Sequence, residues 1–206
     1  MRLFLLTVIL FMLSGCYSST KNIRPNSRID LTKGYLVASV SSSGGATDAF
    51  YIEGVDFKKK VYLSSGKGVL ESYKFNPYKN IKVVEMKPGR YKLTSWQSSV
   101  NQGIDTEQYM PKNIKPIYFT IKPGKITYIG SLHLKGIFKK SKIGDYGAGA
   151  YATIKNRARR DISLAKRIYP NIKNLPVIYA NVPYGKWGEF RDDYAAPSIY
   201  VPIMIY

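Results

Sequence analysis

Arg157, Arg159, Arg160, Lys166 and Arg167 crowd one short stretch of the chain. Guanidinium groups present their donors in a fixed fork that matches phosphate and carboxylate oxygens, so such a cluster suits recognition of anionic groups. The competing account is a solvated helix whose aliphatic stems cover apolar neighbours, and the spacing alone does not separate the two. Other chemistries have less material. His133 is the sole histidine, so a serine or cysteine nucleophile would have no other imidazole for a base. One histidine and one cysteine cannot assemble a typical zinc site, whereas an all-oxygen calcium site remains open. Carboxylates pair in sequence at Glu53 with Asp56, Asp105 with Glu107, and Glu189 with Asp192 and Asp193. Glycan hydrolysis needs two acids at a set separation, which proximity in sequence does not establish. The run Gly144-Asp-Tyr-Gly-Ala-Gly-Ala150 lacks the continuation of a phosphate-cradling loop and reads as a hinge or strand-entry loop. Trp96 shares its alternating face with Arg90 and Lys92 and is the candidate for an exposed aromatic contact, while Tyr91 and Tyr128 fall on apolar faces. The binding candidates are therefore the five cations and Trp96; no catalytic residue, metal ligand or cofactor is expected.

The lone cysteine, Cys16, follows Arg2, an apolar run from Leu3 to Leu13, and the small residues Ser14 and Gly15. That run is too short to span a bilayer as a stable helix, and the layout is that of a signal segment. Leu13-Ser14-Gly15-Cys16 resembles the lipobox of bacterial lipoproteins. The resemblance implies cleavage before Cys16, acylation of its sulfur (palmitate chemistry) and of its freed amine, and so an anchor rather than a nucleophile. An ordinary secretory signal and a short uncleaved anchor are the alternatives, and the position of the only cysteine counts against both. Tyr17 stands where lipoproteins kept at the inner membrane of Gram-negative cells typically carry Asp, so in a Gram-negative host the resemblance implies the outer membrane, facing the periplasm. Residues 1–15 are then a signal peptide and 16–32 a lipidated, polar tether. Such a tether stretches to about 50 Å and averages about 20 Å as a flexible coil.

The chain has 206 residues, with 32 Lys+Arg against 13 Asp+Glu and a formal net charge of +19. A surface of that balance favours polyanions, and in an envelope those are phosphate-bearing lipids and polymers or acidic proteins, with nucleic acid in the wrong compartment. An AT-rich genome would also enrich Lys, Ile, Asn and Tyr, but it explains the shortage of acids poorly. With Cys16 acylated no thiol remains for a disulfide, so packing must supply the stability. About 175 residues after the tether suffice for one core.

These residues must be positioned by short runs rich in Tyr, Val, Ile, Thr and Phe between Gly, Ser and Pro clusters, the pattern of an antiparallel β-sandwich. Strands are expected near 34–41, 49–56, 59–64, 69–75, 80–87, 90–97, 115–122, 125–134 and 149–155, with hairpin tips at Ser42-Ser43-Gly44-Gly45 and Ser65-Gly66-Lys67-Gly68. Lys87-Pro88-Gly89-Arg90 and Lys122-Pro123-Gly124-Lys125 repeat one device, Pro then Gly, that predicts type II hairpin turns. Alternation puts Ile126, Tyr128, Leu132 and Leu134 on one face and Lys125, Thr127, Ser131 and His133 on the other. These Pro-Gly hairpins with their aromatic strands resemble the transthyretin-like or carboxypeptidase-regulatory-like sandwiches, over about residues 34–135, which implies the fold and no functional residue.

Asp161–Pro170 is the one helix signal, with Asp161 as N-cap, Pro170 as terminator, and Ile162, Ala165 and Tyr169 toward the sheet. The sequence thus reads as a mainly β protein: a sandwich over 33–156, then a short basic helix and a C-terminal wrap or edge strand over 157–206, near 198–206. The function it suggests is a non-enzymatic, lipid-anchored scaffold or accessory subunit that binds an acidic protein partner or an envelope polyanion. A carboxylate-dependent glycan hydrolase and a small-ligand carrier are the alternatives.

Overall fold

The computed structural model describes residues 21–43, 47–65, 76–102, 105–141 and 144–192. The elements are β1 (Gly34–Ser43), β2 (Thr47–Gly54), β3 (Lys60–Ser64), α1 (Pro77–Asn80), β4 (Ile81–Met86), β5 (Gly89–Gln102), β6 (Asp105–Tyr109), β7 (Ile117–Ile121), β8 (Ile126–Ser141), β9 (Gly144–Lys155), α2 (Ala158–Ile168), a 3-10 turn (Pro170–Ile172), β10 (Val177–Tyr179) and β11 (Gly185–Arg191). One sheet runs β11-β9-β8-β1-β4, with β10 beside the start of β8; the other runs β3-β2-β5-β6, with β7 beside the start of β5. The molecule is a β-sandwich, as its sequence predicts. The first sheet is mixed rather than wholly antiparallel, because β8 runs parallel to both β1 and β10.

The strand pattern follows from alternation. In β7 Ile117, Phe119 and Ile121 point inward while Tyr118 and Thr120 face out. Strand β1 is buried from Gly34 to Val40 on both faces, so it reads as a nearly continuous apolar run. Its Leu36, Ala38 and Val40 join Phe50, Ile52 and Leu132 between the sheets. Its Tyr35 and Val37 join Ile81, Val83, Ile126, Tyr128, Ala165 and Tyr169 in a second core beneath α2.

Two bulges overturn the simple parity of the sequence. In β5, Leu93 pairs with Ile52 and Ser95 with Tyr51, leaving Thr94 as an extra residue. Tyr91 and Leu93 point inward before it, Trp96 and Ser98 after it, since one inserted residue exchanges the faces of a strand. Trp96 is therefore 0 % exposed and is not a surface contact. Its indole Nε1 donates to the carbonyl of Trp187 at 3.1 Å, fastening β11 across the sandwich. In β8 the register shifts between Tyr128 and Gly130, so Ile126 and Tyr128 belong to the core under the helix, whereas Leu132 and Leu134 belong to the core between the sheets.

The Pro-Gly devices also differ from expectation. Strands β4 and β8 lie in one sheet, β5 and β7 in the other, so both segments are corners that carry the chain between sheets rather than hairpins within one. Gly124 has φ +62°, near the type II value, while Gly89 at φ +149° opens its corner more widely. Ser42-Ser43 likewise leads from β1 in one sheet to β2 in the other. Gly44 and Gly45 of the first proposed tip, residues 66–68 of the second, the strand near 69–75 and the edge strand near 198–206 lie outside the described residues. Strands β6, β10 and β11, and the single turn α1, were not anticipated.

Residues 22–32, assigned to a tether by their polarity, are packed on the domain. The Asn22 amide brackets β4, donating to the Ile81 carbonyl at 3.2 Å and accepting from the Val83 amide at 3.0 Å. The Ile23 amide donates to the Val83 carbonyl at 2.9 Å, and Asn171 Nδ2 donates to the carbonyls of Arg24 and Ser27 at 3.1 and 2.9 Å. Ile23 and Ile29 pack against the core beneath α2.

Candidate anion-binding surface

Helix α2 is held to the sheet by a carboxylate. The sequence places Asp161 at the N-cap; in the structure the N-cap is Arg157, and Asp161 lies in the first turn, 0 % exposed. The Asn156 side chain takes up the capping role, accepting from the Ala158 amide at 3.2 Å. Asp161 Oδ2 accepts from the Ser39 and Tyr128 hydroxyls, each at 2.8 Å. Oδ1 accepts from Arg160 Nε at 2.8 Å and pairs with its Nη2 at 2.7 Å. The Tyr128 hydroxyl in turn accepts from the Arg157 amide at 3.3 Å. Burial raises the Tyr128 pKa, and the hydrogen bond to Asp161 and its charge raise it further, so the phenol remains a donor at ordinary pH. Both carboxylate oxygens are thus satisfied, the condition under which a buried charge is tolerated.

This arrangement divides the basic cluster. Arg160 is committed to Asp161 and also reaches Ser39 Oγ at 3.3 Å. Lys166 is half-buried, its Nζ toward the Leu175 carbonyl at 3.5 Å. Arg157, Arg159 and Arg167 are exposed. Ile162, Ala165 and Tyr169 face the sheet as predicted. Arg157, Arg159 and Arg160 line a shallow depression of about 730 Å³ together with Asn156, Ser163 and Leu164.

Beside the helix the outer face of the first sheet continues. Pairing registers set Ser41, His133, Thr153 and Lys186 in one row across four strands, and Ser43, Lys135, Tyr151 and Glu189 in the next. His133 is half-buried, its Nδ1 2.9 Å from Ser41 Oγ and its Nε2 3.2 Å from Ser43 Oγ, and so sits in the polar face that alternation predicts. Lys135, Tyr151, Lys186, Glu189 and Arg191 line an open cleft of about 490 Å³. Lys186 Nζ stands 5.2 Å from the centre of the Tyr151 ring, within cation–π range. Glu189 pairs with both Lys186 and Arg191; the hydrogen bonds from Lys186 and then Arg191 hold its carboxyl below the usual range. Glu189 is therefore fixed as an anion that aligns its two cations, not poised as a proton donor.

Lys155, exposed at the end of β9, connects this face to Arg157 and the start of α2. A band of exposed cations thus runs from Lys135, Lys186 and Arg191 through Lys155 to Arg157 and Arg159. The strand part of this band escaped the sequence because β11, Gly-Lys-Trp-Gly-Glu-Phe-Arg, carries two glycines and a register shift between Lys186 and Glu189. The signal was present in Lys186, Glu189 and Arg191, each next to one of the apolar residues Trp187 and Phe190. Of the other carboxylates singled out, Glu53 pairs with Lys60 at 3.7 Å and Lys92 at 3.4 Å, and the Asp192 carbonyl accepts from Lys139 at 3.2 Å. Among the described residues no group of three or more His, Cys, Asp or Glu could hold a metal ion. Cys16 and Asp193 lie outside those residues.

Fold and surface together define a two-sheet β-sandwich with one docked helix and a basic outer sheet face. Comparison with protein-family models, curated proteins and solved structures gave no match to the chain.

Proposed function

We propose that the protein is a lipid-anchored accessory protein of the cell envelope that binds a phosphate- or carboxylate-bearing polymer, without catalysing a reaction. The observation that carries this reading is the continuous band of exposed cations on rigid strands, with Tyr151 at its centre and Glu189 already neutralised. Lysines and arginines fixed on a sheet need little ordering on binding, and an elongated band matches an extended chain better than a compact ligand. The lipobox resemblance supplies the compartment, and with it the class of polyanion. Acylation of Cys16 holds the protein at the membrane, and the direction of Tyr17 is toward the outer one.

The binding test is titration of the purified chain with purified anionic envelope polymer at two salt concentrations. Wild type is expected to lose affinity steeply as salt rises. Lys135→Glu with Lys155→Glu is expected to weaken binding at low salt about tenfold or more, without altering the unfolding midpoint. Unchanged affinity in that double variant refutes the band. Crosslinking in cells with Arg157→Glu and Arg159→Glu addresses the partner: one discrete protein lost on charge reversal would replace the polymer by an acidic protein. Arg160 is excluded from the charge reversal because its loss would unpair Asp161. For the anchor, Cys16→Ser is expected to leave an unprocessed precursor or a released protein; a Cys16→Ser chain that still matures and fractionates with the membrane removes the lipobox reading.

A further inference from the structure

We infer that the protein carries a second basic surface, at the β4 edge, that lies against the anionic headgroups of the membrane holding its anchor. The inference rests on acylation of Cys16. Asn22 and Ile23 clamp the chain onto β4, six and seven residues after Cys16. Six residues separate Cys16 from Asn22, a span of at most about 20 Å. The first sheet is five strands wide at the β4 side of its path, about 19 Å from edge to edge. Setting the β11 edge against the bilayer would use up nearly the whole of that maximum span, so the anchor favours the β4 edge there.

The residues gathered at that edge are cationic. Lys21 and Arg24 flank the clamp and are exposed. Lys82 sits between the two residues that Asn22 bonds, and its Nζ donates to the Lys79 carbonyl at 2.7 Å. Asn171 ties the Arg24–Ser27 turn to the 3-10 turn after α2, bringing Arg28 and Lys173 to the same side. Of the described carboxylates around the clamp, Asp161 is buried and paired with Arg160 beneath α2, the Asp30 carboxyl accepts from Thr32, and Glu85 stands two residues beyond Val83. There the Tyr35 hydroxyl donates to the Asp30 carbonyl at 3.0 Å and lies 3.5 Å from Glu85 Oε2. With Asp161 offset by Arg160, two acids stand against the five cations Lys21, Arg24, Arg28, Lys82 and Lys173, and the edge is net positive. A basic side chain next to an anionic leaflet strengthens adsorption about fivefold, and the effect falls off within a Debye length. Short leash and positive edge therefore select one orientation, with the anion-binding band on β8, β9 and β11 displaced from the bilayer toward the aqueous side.

The test uses the mature, acylated protein in vesicles of phosphatidylcholine, with or without about 30 % phosphatidylglycerol to set the surface charge. Because Cys16 is blocked by its acyl chain, a dye can be placed uniquely at Asn174→Cys, beside the patch, or at Lys58→Cys, on the opposite sheet. Quenching by nitroxides attached to lipid headgroups reads proximity. In anionic vesicles the dye at 174 is expected to be quenched at least about fivefold more than the dye at 58. That ratio is expected to fall toward one at about 0.5 M salt and in the Lys21→Glu, Arg24→Glu, Arg28→Glu variant. Equal quenching at the two positions in anionic vesicles at low salt overturns the inference. So does a preference for 174 that is identical in neutral vesicles, which would leave the leash alone as its cause. The intact mass of the Cys16 peptide reports acylation separately; an unmodified Cys16 overturns the anchor reading itself, and the inference with it.

Discussion

Asp161→Asn isolates the lock between α2 and the sheet, because the amide keeps the shape of the carboxylate and removes its charge. At present Oδ2 accepts two hydroxyl donors and Oδ1 accepts the Arg160 fork. An amide offers one acceptor and one donor, so either the hydroxyl pair or the guanidinium meets an N–H. Loss of charge assistance on Ser39, Tyr128 and Arg160 costs about 1 kcal/mol each, and one buried donor left unpaired adds about 1–3 kcal/mol. Arg160 is 34 % exposed in its side chain, so water screens its share. The net expectation is about 3–5 kcal/mol, within the range for breaking a buried pair, or roughly 10 °C in the midpoint of thermal unfolding. The assay is urea unfolding followed by Trp96 and Trp187 fluorescence, with the m value unchanged. Ser163→Ala, on the exposed side of the same helix, serves as control and should stay within about 0.5 kcal/mol. A cycle with Tyr128→Phe should show coupling of about 1 kcal/mol or more. An Asp161→Asn chain as stable as wild type within about 0.5 kcal/mol refutes the lock.

Gly149 sits at φ +142°, and a Cβ there would stand 2.2 Å from the Phe190 carbonyl oxygen; Gly149→Ala should detach the C-terminal end of β11 from β9, read as lost amide-exchange protection at Glu189–Arg191 and a destabilisation of about 2 kcal/mol or more. Burial pushes the Tyr91 hydroxyl up to about 12 from 10.0. The folded state then keeps a proton that the unfolded state loses, so Tyr91 contributes full stability below pH 10 and loses it as the pH rises toward 12. Tyr91→Phe, which also gives up the hydrogen bond to the Lys87 carbonyl at 2.8 Å, should be less stable at neutral pH but show a shallower alkaline decline; an identical decline would remove Tyr91 as its source.

What the sequence made legible were the features that depend on composition and local period. The half-buried strands, the chain reversals at Pro-Gly though not their passage from one sheet to the other, and the apolar stripe of Ile162, Ala165 and Tyr169 all follow from alternation or from backbone restriction. What it concealed depends on register. Nothing in Leu93-Thr94-Ser95-Trp96 marks Thr94 as a bulge, because the bulge exists only relative to β2, 40 residues earlier, and one unpaired residue moved Trp96 from the polar face to the core. The same holds at Ile129-Gly130, where Ile126 and Leu132 share a parity but not a core. Asp161 showed the opposite failure: an acid before an apolar stripe reads as a cap by local rules, and only Ser39 and Tyr128, 122 and 33 residues away, show that its partners are tertiary. Asn22 was read as linker for lack of neighbours in sequence; its partners are the backbone of β4.

The lock and the proposed anion-binding band meet at Arg157, whose amide donates to the same Tyr128 hydroxyl that donates to Asp161. The helix start is thereby fixed relative to the strand face, and Arg157 and Arg159 are held beside Lys155 before any ligand arrives. Loosening that contact without unfolding the chain would oblige a ligand to order the helix start on binding, at a cost of about 1–2 kcal/mol per residue fixed. At a temperature well below unfolding, Asp161→Asn should therefore weaken polyanion binding several-fold at constant salt. The loss should vanish when Arg157→Glu and Arg159→Glu are already present, since the helix then contributes no contact to lose. In a Lys135→Glu background it should persist, because Lys135 lies seven residues along β8 from Tyr128, where pairing to β1 and β9 rather than the lock sets its position. Equal losses in the two backgrounds would mean that Asp161→Asn acts through the whole sheet, and the helix start would then have no place in the binding surface.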